Sequence, residues 1–241
     1  MKSTQLTFQR GLRDGLPIGL GYLSVSFGFG IAVVNAGLPA LFALLISMFN
    51  ETSAGQAAGL AIIVQGGTLI EMALTQLVIN VRYSLMGLSL TQCVDDSFTL
   101  PRRMLLSFCI TDEIFAVAST SSAETRQKVN VRYFSGLSIL PYVGWAAGTL
   151  LGALMGQILP TVISGALGIM LYGMFLAIIV PPARTDRGVL VAVLVAVALS
   201  CILYYVPMFD FITSGFSVII CALAAAALAA VVFPVKEQTE A

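Results

Sequence analysis

Three carboxylates stand in otherwise apolar sequence. Glu71 lies between Thr68-Leu69-Ile70 and Met72-Ala73-Leu74, and the adjacent pair Asp112 and Glu113 lies between Phe108-Cys109-Ile110 and Ile114-Phe115-Ala116. If these runs are membrane helices, an ionised carboxylate at their centre costs about 2.5–3.5 kcal/mol on insertion scales. Such groups should face a polar cavity, pair with a cation such as Arg82, or carry protons. The plainer alternative is that the helices lie elsewhere and some of these carboxylates sit at the membrane interface. Neighbours on a helix point about 100° apart, so Asp112 and Glu113 are expected to do different jobs, one facing a cavity while the other caps or pairs.

Interruptions of the apolar pattern are the second signal. At Asn50–Gln56 (Asn-Glu-Thr-Ser-Ala-Gly-Gln) small, hydrogen-bonding residues, Gly55 and Gln56 among them, break the run, and Gln65-Gly66-Gly67 break the next one. Non-helical backbone at membrane depth is tolerated only where protein buries it or a watery cavity meets it. Discontinuous helices of this kind form substrate sites in secondary transporters, with half-helix N-termini aimed at anionic groups. An amino-acid carboxylate is such a group; an ordinary external loop is the competing reading. Asn80-Val81-Arg82-Tyr83 recurs as Asn130-Val131-Arg132-Tyr133, each followed by Gly-Leu-Ser (Gly87-Leu88-Ser89 and Gly136-Leu137-Ser138), but nothing further aligns between the copies, and chance recurrence is the better explanation.

Much chemistry is excluded. The chain has no His, so imidazole metal sites and Ser–His dyads are impossible. No Gly-x-x-x-x-Gly-Lys-Ser/Thr phosphate loop is present, so energy must come from a gradient or another subunit. Asp95, Asp96 and Asp112 could supply a protease dyad, but no Gly-x-Gly-Asp pattern accompanies them. Cys93, Cys109, Cys201 and Cys221 show no Cys-x-x-Cys spacing and read as small buried apolar residues. No cofactor or metal is implied.

The elements that position these residues follow from composition. Hydrophobic residues make up 58% of the 241, charged residues 10%, and mean hydropathy is +0.96. A soluble domain is about a quarter charged, so the expected fold is an all-α, polytopic helical membrane protein. Twelve basic and twelve acidic residues cancel, which removes the electrostatic case for nucleic acid. The apolar stretch after Lys2, Arg10 and Arg13 is too long for a signal-peptide core and reads as a retained helix. A span needs about 20 apolar residues. Residues 15–50 hold one span and a shorter piece beginning near Pro39. Residues 56–80 could cross once, interrupted by Gln65-Gly66-Gly67 and by Glu71, and residues 104–123 could cross or re-enter. Residues 133–183 hold two spans broken at Gly156–Pro160, and 188–209 and 211–235 supply the last two. About seven hydrophobic segments result.

The chain reads as a single transmembrane domain, residues 1–241, with uneven halves. Residues 133–241 carry charge only at Arg184, Asp186, Arg187, Asp210, Lys236, Glu237 and Glu240. They look like a four-span scaffold, and residues 1–132 hold the polar chemistry. By the positive-inside rule the N-terminus, the 184–187 loop and Lys236 are cytoplasmic, and the turns at Gly156–Pro160 and Pro207–Asp210 face outward. The rule leaves the parity of the first half open, because Arg82, Arg102, Arg103, Arg126, Lys128 and Arg132 all ask to be inside. Either 104–123 re-enters or Ser84–Val94 pairs with it as a broken helix. Gly144, Gly148, Gly152 and Gly156 share one helix face, a small-residue packing surface, and the Ala-rich run Ala222–Ala230 reads the same way.

From about residue 10 to 235 the sequence resembles the AzlC family, the large subunit of bacterial two-component branched-chain amino-acid exporters. The resemblance rests on Gly15-Leu16-Pro17, Gly21-Tyr22, Phe27-Gly28, Ala54-Gly55-Gln56, Asn80-x-Arg82, Thr111-Asp112-Glu113-x-Phe115, Tyr133-Phe134-x-Gly136-Leu137 and Trp145-x-x-Gly148-Thr149-Leu150-Leu151-Gly152. It implies gradient-driven export across the inner membrane of a bacterial cell, and a small hydrophobic AzlD-type partner of about four spans. The substrate and coupling residues then come from Asp112, Glu113, Glu71, Arg82, Asn80, Gly55, Gln56 and Gln65. Two departures, Tyr83 where the family motif has His and a shortened Ala-Gly segment, fall where substrate contacts are expected and leave the substrate open beyond valine, leucine and isoleucine. The alternative readings are a non-transporting assembly subunit and, more remotely, an intramembrane aspartyl protease.

Overall fold

The computed structural model describes residues 5–156, 158, 160 and 170–234. Among them the regular structure is ten α-helices: α1 (Phe8–Asn35), α2 (Ala40–Phe49), α3 (Ser53–Val64), α4 (Leu69–Thr91), α5 (Leu100–Ser107), α6 (Asp112–Thr125), α7 (Val131–Gly156), α8 (Met170–Thr185), α9 (Arg187–Tyr205) and α10 (Ser214–Val232). Four are long and apolar enough to cross a membrane, namely α1, α7, α9 and α10. The protein is an all-α membrane protein. The short helices have local causes. Gly37 at φ 84° ends α1, and Pro39 opens α2 from the N-cap position, where its missing N–H costs nothing. Gly66 at φ 68° turns the chain between α3 and α4, a conformation a residue with a Cβ resists.

The helices form two compact units, residues 1–56 with 80–171, and 57–79 with 172–241. These units do not follow the division at residue 132, because α7 packs along α1. The first unit is organised by that pair. Glycines on α1 (Gly11, Gly15, Gly19, Gly30) meet α7, and Gly136, Gly144, Gly148 and Gly152 on α7 meet α1. A Cβ added to Gly19 would lie 2.8 Å from the Leu140 carbonyl oxygen, and one on Gly148 would lie 2.8 Å from the Leu23 Cα. The four-residue spacing thus lets two backbones touch, and its partner lies within the chain. Below this seam Leu90, Val94, Phe98, Ile114, Val129, Tyr133, Phe134 and Leu137 form a buried core. A single bridge joins Val94 to Val129 there.

In the second unit α9 and α10 pack together, and Asp186 caps α9 by accepting from the Gly188 and Val189 amides at 2.6 and 3.1 Å. No residue of the most apolar stretch of α9 is fully buried in the chain; Leu190, Leu194 and Val197 are exposed, while Val191, Val193 and Val195 are partly buried.

Several expectations change. Residues 104–123 are not one run: the helix breaks at Phe108–Thr111, and Asp112 and Glu113 fall in the first turn of α6, capped by Thr111, whose Oγ1 accepts from the Ile114 amide at 3.4 Å. Hydroxyl capping and acidic first-turn residues stabilise a helix start, so the motif makes an end where hydropathy suggests a middle. Ser84–Val94 is not the broken partner, since α4 runs unbroken to Thr91. Of the cysteines only Cys221 is buried, Cys93 and Cys109 are partly so, and Cys201 is exposed on α9. Within the Ala-rich run of α10, Ala225 is buried while Ala222, Ala224, Ala226, Ala227 and Ala230 are exposed, so that run is not a close-packed face in this chain. The repeated Asn-Val-Arg-Tyr falls in unlike places, inside α4 and at the start of α7. Asn130 caps α7, accepting from the Tyr133 amide at 2.9 Å. Alignment by chance explains that. Lys236, and Gln157 and Leu159 of Gly156–Pro160, lie outside the described residues.

Candidate functional site

Two helix breaks meet the α1–α7 pair at its mid-height. Tyr22 is at the middle of α1, and its hydroxyl lies 2.6 Å from Glu113 Oε2 and 2.7 Å from Thr111 Oγ1 at the break between α5 and α6. A phenol has one proton. It donates to the carboxylate, the stronger acceptor, and Thr111 donates to the phenol oxygen. Tyr142, at the middle of α7, donates to the Met48 carbonyl at 3.2 Å, next to the break between α2 and α3. Its ring also meets that of Phe108 edge-on at 6.3 Å, which ties both breaks to one level. Tyr22 in turn packs edge-on against Trp145 at 5.1 Å. The ten residues of α2 rise about 15 Å, half the hydrocarbon core, so a break at its end sits deep.

At the α2–α3 break only Asn50–Thr52 are non-helical; Gly55 and Gln56 belong to the first turn of α3. The Gly55 amide donates to Thr52 Oγ1 at 3.3 Å. Gln56 is 1% exposed; its Nε2 donates to Ser47 Oγ at 2.9 Å and to the Asn50 carbonyl at 2.7 Å. Ser47 is also bonded to Thr149 of α7, 2.6 Å between hydroxyl oxygens. Beside this network Glu51 is 8% exposed, and neither of its oxygens has a hydrogen-bond partner among the described residues. The Oε1 of Gln56 and the indole N–H of Trp145 are unpartnered in the same sense. Glu51 lies within electrostatic range of Glu113, Tyr22, Cys109 and Tyr142.

Of the other residues singled out by sequence, Arg82 pairs with Asp112 at 2.9 Å, both side chains about half exposed. Its guanidinium also sits 4.9 Å from the Tyr83 ring centroid, a cation–π contact. Asp112 and Glu113 are therefore not buried in this chain. Asn80 is on α4, on the same helix as Arg82, and Gln65 is exposed in the α3–α4 turn. Glu71 is 1% exposed and belongs to the second unit. There it accepts from the Thr213 hydroxyl and from the Gly215 amide at 2.8 Å, so it caps the N-terminus of α10. An anion is favoured at a helix N-terminus, which gives Glu71 a structural place. Asp95 is also locally engaged, accepting from the Ser97 amide at 3.0 Å.

Sequence reasoning missed Glu51, Tyr22 and Trp145 as site residues. Glu51 had a signal: it is the one charged residue between Asp14 and Glu71. An open polar cavity of about 1010 Å³ lies between the start of α1 (Arg10, Arg13, Asp14, Pro17) and α6 (Ala116, Thr120, Ser121, Glu124). Continuing along both helices from its inner end leads to Tyr22 and Glu113. A smaller apolar cavity of about 180 Å³ is lined by Gly87, Leu90, Leu106, Ile110 and Phe134, among others.

The AzlC protein family model matches residues 17–159, which include α1 from Pro17 onward, both breaks and α7. The chain belongs to the AzlC family. It is 29% identical over 206 residues to the inner membrane protein YgaZ of Escherichia coli K12, covering 83% of this chain and 84% of that protein. It is 30% identical over 181 residues to an uncharacterized membrane protein of Archaeoglobus fulgidus, covering 74% and 77% of the two chains. A Helicobacter pylori membrane protein matches at 28% identity over 155 residues, 62% of this chain and 66% of that one. No solved structure matches. The family match covers the site residues Tyr22, Glu51, Gln56, Arg82, Asp112, Glu113 and Trp145 together.

Proposed function

We propose that this chain is the large subunit of a secondary exporter of branched-chain or related hydrophobic amino acids in the inner membrane. The observation that carries the reading is the convergence of two helix breaks at mid-height of the α1–α7 pair, with a buried carboxylate and unpartnered polar atoms beside them. Irregular backbone at that depth forms the substrate sites of secondary transporters, and the resemblance of the sequence to branched-chain amino-acid exporters suggests the substrate class. In this reading the breaks hold the polar end of the amino acid while apolar side chains surround its aliphatic end. Such a pocket separates substrates by only about 1–3 kcal/mol per methylene, so valine, leucine, isoleucine and methionine share it. Asp112 and Glu113, poised on Arg82 and Tyr22, are the groups whose partners can change as the breaks move. A small AzlD-type subunit of about four spans completes the exporter, and the exposed face of α9 offers apolar surface for it.

The test is efflux from cells preloaded with each amino acid, with this chain expressed alone, with the neighbouring small subunit, and with a protonophore added. Efflux that needs this chain and falls on collapse of the gradient supports the proposal. Efflux by the small subunit alone would make this chain an assembly subunit.

A further inference from the structure

Resting on the export reading, we infer that Glu51, together with the amide oxygen of Gln56, is the docking point for the α-ammonium group of the transported amino acid. Donors and acceptors do not balance at the α2–α3 break. Both Glu51 oxygens are buried without a hydrogen-bond partner, and Glu51 makes no ion pair among the described residues. The Gln56 amide cannot be turned to relieve this. Its NH₂ group faces the Asn50 carbonyl at 2.7 Å, which only accepts, so the opposite oxygen is left as a third unused acceptor. Three acceptors without donors call for a group rich in donors, and a primary ammonium has three N–H donors and no acceptor.

The other carboxylates are already answered. Asp112 has Arg82, Glu113 has Tyr22, and Glu71 holds the end of α10. A proton on Glu51 turns one of its oxygens into a donor that can serve only one other acceptor, so one is still left unmet, and a carboxylate ligand would bring further acceptors to a place whose unused donor is the indole N–H of Trp145. At 8% exposure Glu51 is closed to solvent, so the ammonium reaches it only when the α2–α3 break moves, as alternating access requires.

The test compares leucine with its two halves on the purified full-length chain, together with any subunit that co-purifies. Isopentylamine keeps the ammonium and 4-methylpentanoate keeps the carboxylate. Leucine and isopentylamine should raise the melting temperature of the wild type, and 4-methylpentanoate should not at equal concentration. Glu51→Gln, of the same shape but uncharged, should raise the half-saturating concentration of both amines at least tenfold, and Glu51→Asp by less. Wild-type midpoints in Glu51→Gln, or 4-methylpentanoate acting as well as leucine, would overturn the assignment. If Glu51→Gln does not elute as a monodisperse species, the comparison of amine and acid on the wild type decides alone. A wild type that no hydrophobic amino acid shifts would remove the export reading itself, whereas leucine binding that ignores the amine removes only the role of Glu51.

Discussion

The α1–α7 seam makes two glycine-to-alanine changes of opposite sign. A Cβ on Gly148 would stand 2.8 Å from the Leu23 Cα, with Leu23 backbone and Ser26 Oγ closer still. Carbon atoms prefer about 3.5–4.0 Å, so α1 and α7 must part by about 1 Å at this level, and neither contacting backbone can rotate away. Overpacking of this size costs about 1–3 kcal/mol. Gly21, on the opposite side of α1, has nothing within 4 Å of an added Cβ, and alanine there gains about 0.5–1 kcal/mol by removing glycine's unfolded-state freedom. For a chain of this size each kcal/mol moves the melting temperature by about 2–4 °C. Gly148→Ala should therefore melt roughly 2–12 °C below wild type and Gly21→Ala roughly 1–4 °C above it. The assay is thermal unfolding of the purified protein in one detergent, read by tryptophan fluorescence, Trp145 being the single reporter on α7. A Gly148→Ala protein as stable as wild type would show that the helices do not touch there.

Three further outcomes follow from the geometry. With the four native cysteines removed, a cysteine at Thr185 should be shielded from an impermeant thiol reagent outside intact cells and one at Met208 labelled; the reverse pattern would invert the orientation. Glu71→Gln should leave efflux intact while lowering the melting temperature, because the N-terminus of α10 loses its anionic cap; lost efflux at full stability would move Glu71 into the transport path. Arg82→Asp or Asp112→Arg alone should reduce folded yield, and the two together should restore it. A double variant no better than the worse single one would show that the pair is not coupled.

What could be read from the sequence is what repeats with a helix's own period or marks its ends. The glycines at Gly144, Gly148 and Gly152 share a face because residues four apart do, and Pro39 announces the second helix because it fits a first turn. Thr111-Asp112-Glu113 is a helix-start signature, yet hydropathy averages over it and reads one crossing. Glu51 is hidden differently: its heptapeptide looks like a polar loop, and only the folded chain shows that the side chain is buried. The role of Glu71 was not legible at all, since the hydroxyl it accepts from belongs to Thr213, 142 positions along the chain.

Reconstitution tests the central claim most directly. The purified chain, with the proposed AzlD-type small subunit and in liposomes with an imposed proton or ion gradient, should move labelled leucine against its concentration. Unlabelled valine, isoleucine and methionine should compete, and the movement should fall at least tenfold with Glu51→Gln. Liposomes that hold folded wild-type protein, yet move none of these amino acids faster than empty ones under any gradient, would contradict the account.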